Sequence, residues 1–428
     1  MISVIFKRAY ETKHNELGVS RRISQRMNSQ KHVGISLVVI LFIHLSAAAV
    51  SVSIQDLQAQ SSFSVAQADM EYIQHFPISI ERSEDFIGLG FEGEGTPENP
   101  YIIRNLNITV ITGNCITIRN VPDYFMIRDC FLKSLSGFYS CIELESTNHS
   151  VIEQCYLEGG RNGINTYNTI GTKIDDCVCY DATYGISLSY SSMVEVANCR
   201  ILRNSVGIRL IGADICNISS NKVYKNSDVG IDVRLDASQN LFSRNMIGWN
   251  RGVGNEYNAA DYGSENSWIG NRWSDYDPPG PYQVEGWAVS NDTTALVLND
   301  QIAPVVEEHE DVFFAEGTEN MQIRWNASDS FPLYYEVTYQ GEVIVTKTWA
   351  IPTVVFPLDN LGAGEYRFTL TTYDARSRAS IDSVLVFVFT IIFADLGSPL
   401  LAIASLTSLV TVIAALVLFK YLQRGRGR

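Results

Sequence analysis

Histidine is nearly missing from this chain, with 6 among 428 residues. His14, His32 and His44 fall in the first fifty positions, and His75, His149 and His309 are scattered. Clustered imidazoles are the usual nitrogen ligands of copper and zinc, so the sequence offers no such centre. A basic surplus is missing as well. Lys and Arg number 32 against 47 Asp and Glu, a formal net charge of -15, which excludes nucleic acid and anionic lipid as expected partners. No cysteine follows Cys216, and Cys177 with Cys179 lacks the spacing of a redox pair. What is present is ordinary for folded protein, 46% hydrophobic and 18% charged, in a length that allows two or three domains.

Between Cys115 and Gly254 the chain repeats itself. A hydrophobe, two residues and then Cys or Asn recur at Ile127 to Cys130, Ile152 to Cys155, Ile174 to Cys177, Val196 to Cys199, Ile218 to Asn221 and Phe242 to Asn245. The steps are 25, 22, 22, 22 and 24 residues. Two positions further on comes a second apolar residue (Leu132, Leu157, Cys179, Ile201, Val223, Ile247), and a second unit follows, usually opened by Gly163, Gly185, Gly207 or Gly230. Its inward pairs are Ile142 with Leu144, Ile164 with Thr166, Ile186 with Leu188, Ile208 with Leu210, and Ile231 with Val233. Alternation of period two makes each unit a short strand with one face to bury. Stacking successive coils buries those faces together, so the expectation is an all-β solenoid of about six coils.

These repeats resemble the right-handed parallel β-helix proteins, including the domain named for the periplasmic NosD copper protein. The likeness runs from about Phe76 to Tyr276. Gly90 to Thr96 with Pro100 to Ile103 looks like the lead-in of archaeal-type, membrane-anchored surface proteins, and Asn271 to Tyr276 like their closing coil. The resemblance implies a right-handed parallel β-helix. It implies little about activity, because the same solenoid carries lyases, hydrolases, adhesins and copper-delivery factors.

The flanks add further expectations. Residues 1–52 pair a basic start with an apolar run from Val33, ending in small residues, and read as a signal peptide or a signal anchor, with translation from Met1 or Met27. A linker at 53–75 precedes an N-terminal cap at 76–114, and the coils occupy 115–254. The Trp- and Tyr-rich stretch at 255–302 reads as a C-terminal cap and connector in preference to a sugar-stacking platform. Residues 303–394 alternate in short strands (Met321, Ile323, Trp325; Tyr335, Val337, Tyr339; Tyr366, Phe368, Leu370), as in an immunoglobulin- or fibronectin-like β-sandwich, and Leu361 to Tyr366 resembles a tyrosine corner. An apolar run at 396–420 reads as a C-terminal transmembrane helix, with 421–428 a basic cytoplasmic tail.

On that topology the bulk of the chain lies outside a single-pass cell-membrane anchor. The N-terminal segment contributes +5, and Lys420 with the tail's Arg424, Arg426 and Arg428 contributes +4, so the remainder carries -24. Such acidity fits solubility or a cation, leaving room for calcium while no other cofactor is indicated. Sequons at Asn107, Asn148, Asn217, Asn291 and Asn326 are glycosylation candidates. The cysteines at one register position, Cys130, Cys155, Cys177 and Cys199, give way there to Asn221 and Asn245 and read as an inward ladder, not a disulfide framework.

Outward columns on the glycine-led strand read Thr117, Glu143, Asn165, Ser187, Arg209, Asp232 and, two residues on, Arg119, Glu145, Tyr167, Ser189, Ile211, Arg234. Glu143, Arg209, Asp232 and Arg234 are weak catalytic candidates, since no two carboxylates converge as glycosidic cleavage requires. The expected function is a non-catalytic cell-surface protein, a β-helix on a sandwich stalk, binding glycans or neighbouring surface proteins. The alternatives are an extracellular polysaccharide lyase or glycoside hydrolase and a NosD-like copper-handling accessory.

Overall fold

The computed structural model describes residues 72–252 and 256–390. The signal segment, most of the linker, the expected transmembrane helix and the basic tail lie outside the described residues. Among the described residues no helix is long and apolar enough to cross a membrane.

Three parallel sheets form the solenoid, and each coil contributes one strand to each. In one coil these are Phe125–Arg128, Phe131–Ser134 and Ser140–Glu145, which we assign to sheets III, I and II. Sheet I has 10 strands, sheet II has 8 and sheet III has 10. The solenoid therefore has about eight coils, more than the six expected. The difference lies at its ends. Ile78–Ile80 pairs with Ile116–Arg119 in sheet II and Ala259–Asp261 extends sheet II, although neither strand opens with the repeat's glycine; Ser267–Ile269 extends sheet III, where Trp268 to Asn271 prolongs the repeat by one more coil. A six-residue helix, Ser83–Gly88, sits at the first coils, where buried Phe86 stacks on Tyr101 at 4.4 Å between centroids. Trp268 and Trp273 are buried in the last coils, Trp268 stacking on Phe242 and Trp273 on Tyr282.

The repeat signature follows from three local requirements. Residues before the ladder position, such as Asp129, Asp176 and Asn198, have φ of 51°, 49° and 53°, a left-handed turn that Asp and Asn tolerate best. The ladder residue itself satisfies backbone. Cys155 Sγ donates to the Glu153 carbonyl, and Asn221 Nδ2 donates to both the Val196 carbonyl (2.8 Å) and Asn245 Oδ1 (3.0 Å). All eight cysteines are buried and free. A second ladder, Asn204, Asn226, Asn250 and Asn258, runs along the turn between sheets I and II. The glycines that open sheet II strands are there for space: a Cβ on Gly207 would lie 2.5 Å from the Gly230 carbonyl oxygen and 2.6 Å from Val223 Cγ1. Inward residues such as Ile142, Leu144, Ile208 and Leu210 have no exposure, and burying such a side chain contributes roughly 1.5–3 kcal/mol.

Beyond the solenoid a three-stranded and a five-stranded sheet enclose a second core of Ile323, Trp325, Val337, Tyr339, Phe356 and Phe368. The Tyr366 hydroxyl donates to the Gly362 carbonyl at 2.9 Å, which is the bond that defines a tyrosine corner. This sandwich is not held away from the solenoid as a stalk. Phe331 and Ala350 pack on Tyr180, Leu202, Tyr224 and Trp249, which line the outer side of sheet I.

Candidate functional site

With the outer side of sheet I covered by the sandwich, sheet II presents a long lateral face. Its register aligns Thr117, Glu143, Asn165, Ser187, Arg209 and Asp232 in one column and Arg119, Glu145, Tyr167, Ser189, Ile211 and Arg234 in the next. Pairing of Val233 with Asp261, and of Ala260 with Glu285, extends the second column to Tyr262 and Trp287.

The four candidate residues do not converge. Glu143 accepts hydrogen bonds from Ser140 Oγ and Asn165 Nδ2, both at 2.8 Å, while Glu145 pairs with Arg119 at 2.9 Å. Asp232 lies four rungs from Glu143, about 19 Å at the usual strand spacing. Glycosidic cleavage by a carboxylate pair needs roughly 5 to 9.5 Å. Asp232 itself is 4% exposed, and burial raises its carboxyl above the usual range against the opposing effect of Arg234, whose Nε reaches both carboxylate oxygens at 2.8 and 2.9 Å. Arg209 lies over the Tyr184 ring at 4.7 Å and Arg234 over Tyr262 at 5.0 Å.

Aromatic residues accompany the charges. Tyr167 and Tyr190 meet edge to face, as do Tyr262 and Trp287, and the hydroxyls of Tyr257 and Tyr262 lie 3.1 Å apart. Tyr190 is 57% and Trp287 86% exposed. From Tyr167 to Trp287 is five rungs, about 24 Å. Tyr184, Tyr190, Tyr257 and Tyr262 are absent from the sequence-derived candidates. Prolonging the second column by one coil would have found Tyr262, but the missing glycine of that strand hides the register.

The remaining candidates are dispersed. Asn107 and Asn217 lie within strands and are half-buried, Asn148 forms an isolated parallel bridge to Ile170, and Asn291 and Asn326 are exposed. The Asn326 amide donates to Glu307. His75 adjoins the first strand, His149 stacks on Tyr124 and His309 packs against Trp325. Among the described residues, Asp300, Asp329 and Asp374 are the carboxylates near enough to share a cation, but Arg378 already pairs with Asp300 at 2.6 Å and Asp374 at 2.7 Å.

Residues 88–247 match the family model described as "Right handed beta helix region". No curated protein matches the chain. Among solved structures it is similar to fibronectin(III)-like modules of Clostridium thermocellum CbhA, at 22% identity over 21% of this chain and 100% of that one, with a TM-score of 0.16. It is also similar to an alginate lyase from Paenibacillus sp. str. FPU-7, at 12% identity over 52% and 97% of the two chains, TM-score 0.31. A third likeness is to DFA-IIIase from Arthrobacter chlorophenolicus A6, at 13% identity, where the chain covers 52% of that protein with 45% of its own length, TM-score 0.27. The family match and the three stacked parallel sheets together make the solenoid a right-handed parallel β-helix.

Proposed function

We propose that this is a non-catalytic cell-surface protein whose β-helix binds extended glycans along the outer face of sheet II. The observation that carries the reading is a set of rings along the outer face of sheet II: exposed Tyr167 and Trp287 on the second column, half-buried Tyr262 between them, and exposed Tyr190 one residue beyond Ser189. Rings left in water at this density are a recognition feature, because their apolar faces gain from burial against a ligand while the hydroxyls and indole N–H hydrogen-bond its polar groups. The apolar run at 396–420 and the basic tail would hold the solenoid outside the cell on one membrane span.

One observation favours the alternative of a polysaccharide lyase or hydrolase: Asp232 is a buried carboxyl with a raised pKa, the property of a general acid. Glu143, the other carboxylate among the candidates, lies four rungs away, about 19 Å, so binding is the better-supported reading. The test is a screen of the full chain on immobilised polysaccharides, with product analysis in the same samples. Retention without new reducing ends or unsaturated uronate supports the proposal. Cleavage that Asp232→Asn abolishes would replace it with the enzymatic alternative, and neither retention nor cleavage would refute both.

A further inference from the structure

The charge of the ligand can be argued from the same face, and the argument rests on the glycan-binding reading. Arg209 occupies the middle of sheet II. Its Nε is buried without a hydrogen-bond partner, and among the described residues its guanidinium has no ion pair, only the Tyr184 ring. On the next coil Arg234 spends Nε alone on Asp232 and is 47% exposed, so its terminal nitrogens remain open to a ligand. Asp232 stands directly opposite Arg209 in the register, and Arg234 two residues on. Two guanidiniums thus stand beside one carboxylate, which pairs with Arg234 alone, a local positive excess on a chain of net charge -15. Asp228 and Asp236, at either end of the Arg234 strand, are exposed and pair with neither arginine. A partly desolvated guanidinium without a partner is costly, and an anion arriving on a ligand removes that cost. The planar fork of arginine fits the paired oxygens of a carboxylate or a sulfate ester.

We propose that Arg209 and Arg234 form an anion receptor, so that the glycan bound across sheet II is acidic and places a carboxylate or sulfate on these two side chains. The flanking rings Tyr184 and Tyr262 hold the two guanidiniums in place for that contact.

The test measures affinity of the full chain for polygalacturonate and its neutral methyl ester, and for dextran sulfate and unmodified dextran. At least one acidic polymer should bind about tenfold or more tightly than its neutral parent, the margin expected of one charge-assisted contact. Preference for polygalacturonate alone identifies a uronate ligand, preference for dextran sulfate alone a sulfate ester, and preference for both a general anion receptor. Arg209→Gln should erase the preference and Arg209→Lys should keep part of it; should the Gln variant misfold, loss of the wild-type preference with rising salt supplies the same evidence. Equal binding of charged and neutral partners overturns the receptor while leaving glycan binding intact. Failure to bind any glycan overturns both.

Discussion

The Tyr224 hydroxyl, fully buried, donates to the carbonyl of Pro332 at 2.7 Å and so ties the outer side of sheet I to the sandwich strand Pro332–Tyr339. Around it Phe331 packs edge to face on both Tyr224 and Trp249, and Lys222 donates to the Ser330 carbonyl. The two domains are therefore joined by a small core of their own. Tyr224→Phe keeps the ring and leaves a buried carbonyl without its donor, at a cost of about 1–3 kcal/mol. In chemical denaturation the variant should separate the two domains into distinct transitions or lower a shared midpoint. An unchanged midpoint with a single transition would mean the contact contributes nothing.

Gly207 permits a close approach between coils: a Cβ there would lie 2.5 Å from the Gly230 carbonyl oxygen on the next coil. Its backbone is not left-handed, so an alanine is excluded by contact and not by torsion. Gly207→Ala should cost about 1–3 kcal/mol through displacement of the neighbouring strand. Gly88 has open space around it, and Gly88→Ala should leave thermal stability nearly unaltered. Equal effects from the two substitutions would contradict the close-packing explanation of the repeat.

Asp329 gives the joint between the domains a pH dependence. Burial, then the charges of Asp300 and Asp374, outweigh the Phe331 amide and push its carboxyl up to about 6. Between about pH 4 and pH 6 the folded chain holds a proton that the unfolded chain has released. Ionised Asp329 therefore penalises folding above about pH 6, and the penalty fades as pH falls toward 4. Asp329→Asn keeps the acceptor for Phe331 and removes the charge. The melting temperature of the variant minus that of the wild type should be positive at pH 7 and shrink on acidification. A difference independent of pH would show that Asp329 titrates normally.

Much of the solenoid was legible because its physics is periodic. The columns from Thr117 to Asp232 and from Arg119 to Arg234 follow directly once each Gly-led strand is aligned, and the structure keeps that register residue for residue. The end coils were not legible. Ile78–Ile80 and Ala259–Asp261 pair correctly without the opening glycine of the repeat, because a neighbouring coil supplies the template. The contact between domains left a trace, the outward apolar column Tyr180, Leu202 and Tyr224, but periodicity shows only that such a column needs covering and not what covers it. At the candidate site, Arg209 and Asp232 were visible as residues, whereas the isolation of Arg209 and the burial of Asp232 depend on side-chain conformations that no spacing records.

The most direct test of glycan recognition by sheet II is the dissociation constant of the full chain for its best polysaccharide, compared with the double variant Tyr190→Ala, Trp287→Ala. Both rings are exposed and neither belongs to a core, so the variant should keep its melting temperature. The account predicts binding weakened by about tenfold or more, as expected when two stacking surfaces are lost. Unchanged affinity in a folded variant would place the ligand elsewhere and contradict the assignment of this face.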